Sequence, residues 1–143
     1  MAMDWDRYAP QAQGLLRIVA ALLFIEHGLS KLFGFPPFPM GALPAMGSLL
    51  WIGAVIELVG GLLVLIGFLT RPAALIMAGE MAVAYWMFHA TKSTFPAENG
   101  GDAAILFCFI FLFIAAAGPG AWSVDESRAR RIAHTEADPD TVH

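Results

Sequence analysis

Cysteine is almost absent. The chain has one, Cys108, which excludes an internal disulfide, a thiolate metal cluster and a CxxC redox pair. Charge is scarce as well: Asp, Glu, Lys and Arg make up 14% of residues, against about a quarter in a soluble domain. No basic patch with interleaved aromatics is present, so the usual footprint of nucleic-acid binding is missing. There is no Ser/His/Asp elbow, phosphate loop, dinucleotide fingerprint or c-type haem motif. Ligand spacings such as HxxxH or ExxH do not occur, and no metal site is read. Residues 1–14 are polar, mixed in charge and interrupted by Pro10. They lack the short apolar region and small-residue cleavage site of a signal peptide, so the first apolar segment is expected to stay as an anchor.

What the chain has in quantity is apolar surface. Hydrophobic residues reach 58% and the mean hydropathy is +0.66. A 143-residue domain cannot bury that much in a water-soluble core, which makes lipid the expected solvent. The net charge of -4 says little, because acids and bases occupy different parts of the chain. Four hydrophobic segments stand out, at residues 15–35, 48–69, 73–90 and 103–117. Between the first two, residues 36–47 are too proline-rich for a continuous helix but apolar enough for an interface. Thr70, Arg71 and Pro72 form so short a link that the third segment must return antiparallel to the second. Pro72 fits a first helical turn. Residues 91–102 read as a polar loop. The fourth segment is short or extends into residues 99–102, and the chain after Arg131 reads as partly disordered.

The expected architecture is all-α: an integral membrane four-helix transmembrane bundle over residues 15–122. A segment at 1–14 and a charged tail at 123–143 flank it. If both termini share one side, that side holds Arg7, Arg17, Arg71, Arg128, Arg130 and Arg131, and the other holds only Lys31 and Lys92. The positive-inside rule then makes both termini cytoplasmic, in a multi-pass protein of a bacterial inner membrane. Trp5, Trp51, Trp86 and Trp122 fall near segment ends, where interfacial anchors sit.

Ionisable groups at membrane depth are costly and point to function. At about 1.5 Å per residue, Glu26, His27, Glu57 and Glu80 come out roughly 12–15 Å below the outer boundary. Three carboxylates and an imidazole are thereby predicted in one layer, with Lys31, Tyr85 and His89 above it. Gly53, Glu57, Gly60, Gly61 and Val64 share a stripe of the second helix; the small residues allow close packing, which turns Glu57 inward. Tyr85 and His89 pair at i, i+4, as do His27 and Lys31, while Glu26 points about 100° away from His27. Such groups could relay protons or hydrogen-bond the carbonyls of a quinone. Each also has a plainer reading. Glu57 can clamp helices, His27 and Lys31 can snorkel, Arg17 can be an interfacial cation, Arg71 can be a topology signal, and His89 can line the headgroup region.

Several stretches together resemble the DoxX family of small four-helix bacterial membrane proteins. They are LLRIVAALLFIEHGLSKLFGF, AVIELVGGLLVLIGFLTRPAA, AGEMAVAYW, ENGGDAAILF and GPGAWSVDES, in this order across residues 15–126. Asp102 stands where the family commonly has glutamate, and Ala121 where arginine is frequent. The resemblance implies an inner-membrane protein, associated in some relatives with thiosulfate:quinone oxidoreduction or quinone-stress complexes. Glu26, His27, Gly28, Lys31, Glu57, Gly61 and Glu80 are the matching positions. The resulting expectation is a membrane subunit of a redox system with no complete catalytic motif of its own and no covalent cofactor. It would bind a quinone-like ligand at the Glu/His layer, beside a redox enzyme partner or as a homo-oligomer. A non-catalytic scaffold and a small transporter are the alternatives. Any redox chemistry needs a bound ligand or partner, because these side chains cannot supply it.

Overall fold

The computed structural model describes residues 4–137. They are 75% helical with no strand among them, so the all-α expectation holds. A short 3-10 turn, Trp5–Tyr8, leads into α1, Ala9–Phe33. Helix α2 is Leu49–Ile66 and α3 is Thr70–Ala84, which continues into a π turn at Tyr85–His89. A single turn, α4 at Pro96–Asn99, lies in the loop expected to be irregular. Helix α5 is Asp102–Ala117 and α6 is Val124–Ala137.

Three boundaries differ from expectation for local reasons. Helix α1 begins at Ala9, inside the segment read as a polar leader, because Pro10 is tolerated in a first turn. The third segment ends in a π turn, in which the Ala90 amide donates to Tyr85 O at 2.9 Å. The tail is helical through Ala137, which corrects the disorder expected after Arg131. Its start is capped: the Glu126 amide donates to Ser123 Oγ at 3.2 Å, and Asp125 and Glu126 occupy the first turn, where the helix dipole favours acids. An Arg130–Glu126 pair at 2.5 Å supports the next turn. Residues 138–143 of the expected tail lie outside the described residues.

Helix α1 packs along α2, and α3 along α5; an α2–α3 contact joins the two pairs. Small residues set the spacing. A Cβ on Gly28 would lie 2.8 Å from the Leu58 backbone nitrogen, one on Gly61 2.7 Å from Ile25 Cγ1, and one on Gly60 2.9 Å from Met77 Sδ. Phe24, Val64, Met77, Phe111 and Ile114 fill the middle, with Phe24 edge-on to Phe111 at 4.8 Å. Many large apolar side chains point outward instead, among them Leu22, Leu62, Leu75, Phe109 and Phe113. Among the described residues, α2 is the one helix long and apolar enough to cross a membrane by length and composition; α5 is apolar but shorter.

The end of the bundle where α2 stops and α3 starts is sewn shut by side chains. Arg17, read from the sequence as an interfacial cation, is fully buried among the helix ends. Its guanidinium donates to Val64 O (2.7 Å), Leu65 O (2.5 Å), Pro119 O (2.7 Å), Ala121 O (3.1 Å) and Trp122 O (2.9 Å). It therefore caps the carbonyl end of α2 and fixes the 119–122 loop. Arg71 does the same for α5, donating to Ala115 O at 2.8 Å and Ala116 O at 2.5 Å, so it has a structural partner beyond any topological role. Asp125 accepts from the Leu69 amide (3.2 Å), the Thr70 amide (2.9 Å) and Thr70 Oγ1 (2.8 Å), which caps the amide end of α3. Leu69 and Trp122, with φ of 50° and 58°, are non-glycine residues in the left-handed region, and each is held there by one of these bonds.

Candidate functional site

At the opposite end, the helices line a half-open cavity of about 590 Å³, large enough for a small organic ligand. Its walls come from α1, α2, α3, the π turn, the start of α5 and the loop after α1. Most of the lining is apolar, with Phe24, Phe38, Phe88 and Phe107 contributing rings. The polar groups are His27, Lys31, Glu57, Glu80, His89 and Lys92.

Glu57 and Lys31 form the centre. Lys31 Nζ lies 2.5 Å from Glu57 Oε1, with side-chain exposures of 18% and 1%. This contact joins α1 to α2 through the cavity wall. Glu57 Oε2 is buried with no hydrogen-bond partner among the described residues. Glu80 approaches from α3. A Cβ on Gly53 would come within 3.0 Å of Glu80 Oε1, so the absence of a side chain at Gly53 makes room for this carboxylate against α2. Glu80 Oε2 is also buried and unpartnered. A buried acceptor left without a donor costs about 1–3 kcal/mol, and two beside one cavity are unusual in a native fold.

The histidines flank this centre. His27 Nδ1 lies 2.8 Å from Leu23 O, so with the proton on Nδ1 its Nε2 is left as an acceptor. Its ring meets Phe107 edge-on at 6.2 Å. His89 Nδ1 lies 3.1 Å from Asn99 O, and the ring stacks on Tyr85 at 6.5 Å between centroids. The π turn widens the backbone here and presents Phe88 and His89 to the cavity together.

Two sequence-predicted residues sit elsewhere. Glu26 is exposed and lines a shallower hollow of about 310 Å³ with His27, Ser30, Lys31 and residues 36–40. Its rotation around α1 removes it from the carboxylate layer, which therefore contains Glu57 and Glu80 without Glu26. Tyr85 does not line the cavity; it packs against Gly101, where a Cβ would fall 2.7 Å from its ring. Gly60 and Gly61 lie at helix contacts and Gly53 seats Glu80. Phe38, Phe88 and Lys92 line the cavity without having been singled out. Phe38 and Lys92 depend on how the 36–47 and 91–101 loops fold back, and Phe88 on the π turn, and no period in the sequence reports either. No three His, Cys, Asp or Glu side chains among the described residues converge as metal ligands would.

Away from the cavity, Asp125 is the acid whose ionisation the fold reshapes. Partial burial opposes its charge, but hydrogen bonds from Thr70 and Leu69 and the nearby Arg128 outweigh this and hold the carboxyl below its ordinary value.

Outward apolar side chains around an interior with an ion pair and an aromatic cavity define a helical protein whose solvent is lipid. The DoxX family profile matches residues 12–90, and the chain belongs to that family. An uncharacterized protein of Haemophilus influenzae is 41% identical over 124 residues, 84% of this chain and 92% of its own length. The Escherichia coli inner membrane protein YqjF is 33% identical over 76% of this chain and 85% of its own length. An uncharacterized membrane protein of Mycobacterium tuberculosis, Rv3486, is 28% identical over 91% of each. This is therefore a membrane protein, and its surroundings are a lipid bilayer. No solved structure matches the chain.

Proposed function

We propose that this protein is a multi-pass inner-membrane subunit of a redox system that binds a quinone-like ligand in the cavity between α1, α2, α3 and α5. The observation that carries the reading is the pair of buried Glu57 and half-buried Lys31 beside Glu80 in an otherwise apolar, aromatic-walled space. Aromatic walls suit a planar ring, and a few convergent polar groups suit its oxygens. Lys31 Nζ keeps donors beyond the one given to Glu57, which suits a carbonyl or phenolate oxygen. Glu57 holds Lys31 in place, and Glu80 holds or accepts a proton at its carboxyl oxygen. When bound, a quinone supplies the two-electron chemistry that these side chains lack.

The proposed topology is a four-helix transmembrane bundle with both termini cytoplasmic. Support comes from the arginines gathered at the sewn end and from two tryptophan tiers. Trp5 and Trp122 belong to that end, and Trp51 and Trp86 to the cavity end. The binding reading is tested by calorimetric titration of purified protein with a short-chain quinone analogue. Saturable binding that Glu57→Gln and Lys31→Met each weaken about tenfold or more is expected, from the loss of a charge-assisted contact. No binding, or binding indifferent to both substitutions, overturns it.

A further inference from the structure

Helices α2 and α3 touch near the turn that joins them, at Gly60, where a Cβ would lie 2.9 Å from Met77 Sδ. Further toward the cavity, one face of each helix turns into its wall. Helix α3 contributes Ile76, Gly79, Glu80 and Val83, at the i, i+3, i+4, i+7 spacing of a single stripe, and α2 contributes Ile52, Gly53 and Ile56. At about 100° per residue, Glu80 and Gly53 lie on the inner edges of these stripes, and Gly79 and Ile52 on the outer edges. The inner edges meet: a Cβ on Gly53 would come within 3.0 Å of Glu80 Oε1. Deeper still, Glu57 is 1% exposed and its Oε2 has no partner among the described residues. The outer edges stay open. Ile52, Ile76 and Val83 line the cavity and are nonetheless 47%, 58% and 47% exposed. A Cβ on Gly79 would meet nothing within 4 Å, so the wall lacks a side chain there.

We propose that this cleft is a lateral doorway to the bilayer, through which the cavity takes a membrane-dissolved ligand: a quinone-like ring bearing a long apolar tail, with the ring beside the carboxylates and the tail passing out between Ile52 and Gly79. This rests on the quinone-like reading above and adds the class of that ligand and the position that admits it. The cleft is aliphatic along its outer part and polar only at its inner end, which matches a tailed ring in polarity and direction. A tail lying there keeps hydrocarbon on every side and never meets water. The cavity also opens at the loop end, past Met40 and Lys92, but an ammonium and loop backbone make that a poor path for hydrocarbon. Glycine inside a helix is unfavourable relative to alanine, and no neighbouring atom requires it at position 79. The notch it leaves is what a passing tail needs.

The experiment uses the full chain in lipid nanodiscs and two quinones that share one ring. One carries a ten-carbon tail ending in a diazirine, and the other a methyl group in its place. After irradiation, peptide mass spectrometry is expected to find the tail on Ile52, Ile76 and Val83, with labelling suppressed by excess unlabelled tailed quinone. Gly79→Phe fills the notch and should weaken the tailed quinone about tenfold or more, and the tail-less one less than about threefold, because only the tail collides. Gly79→Ala should bind both as the wild type does. Both variants should keep or raise the thermal midpoint, since the added side chain meets open space and favours the helix; if Gly79→Phe unfolds, the labelling pattern decides. Labelling at Met40 and Lys92 instead, with a bilayer acyl chain left in the cleft, overturns the doorway and leaves the ligand reading intact. So does a Gly79→Phe effect that is nil or equal for both quinones. Failure of both quinones to bind the wild type overturns both readings.

Discussion

Arg17 makes five hydrogen bonds to backbone carbonyls from a fully buried position, and no other side chain could satisfy that set. Arg17→Lys keeps the charge but has neither the planar fork nor the number of donors. A loss of on the order of 3 kcal/mol or more is expected for Arg17→Ala, with Lys recovering less than half, since several buried carbonyls would go unpaired. Unfolding in detergent by denaturant checks this. Asp125 gives a pH signature. Its carboxyl is held below its ordinary value, so the stability it adds is complete above its unfolded pKa of about 4 and is lost as pH falls through the lower folded value. Asp125→Asn is expected to lower the midpoint at pH 7, by about 1 kcal/mol as for a lost helix cap, and to flatten the decline below pH 4. Gly67 combines a φ of +70° with a Cβ position 2.3 Å from Ser123 Cβ. Gly67→Ala should destabilise by more than about 1 kcal/mol, through backbone strain and collision together, in the same unfolding assay.

Each of the four apolar segments became a principal helix, because long hydrophobic runs punctuated by Gly34, Gly67 and Gly118 define helices without tertiary information. Glu57 facing inward was legible for a similar reason: its neighbours at helical spacing are glycines. What escaped the sequence was rotation and loop return. Glu26 and His27 are adjacent and both exposed, yet only His27 lines the cavity, because their side chains point about 100° apart around α1. A depth argument places residues along a helix and says nothing about which way they turn. Arg17 looked interfacial because it lies near the start of an apolar run; its carbonyl partners sit 47 to 105 positions away, beyond the reach of any local pattern. The helical tail was hidden by composition, since a charged stretch behind a single serine cap reads like a solvated one.

For the molecule as a whole, the two ends differ in kind. One holds Arg17, Arg71 and Asp125 in bonds between elements, and the other holds the cavity and the longer loops at 34–48 and 90–101. Single cysteines placed at Lys92 and Arg130, in a Cys108→Ala background, test the proposed orientation. A membrane-impermeant maleimide added to spheroplasts should label position 92 and leave 130 unlabelled until the membrane is opened. Labelling in the reverse order would invert the topology. The sewn end also constrains how the protein is made. Three of the five carbonyls that satisfy Arg17 belong to residues 119, 121 and 122, which leave the ribosome about a hundred residues after Arg17 itself. Until then a guanidinium on the first helix lacks most of its partners. The sewn end can therefore close only after residues 119–122 have been made, so this lock is set late, by the part of the chain that follows α5.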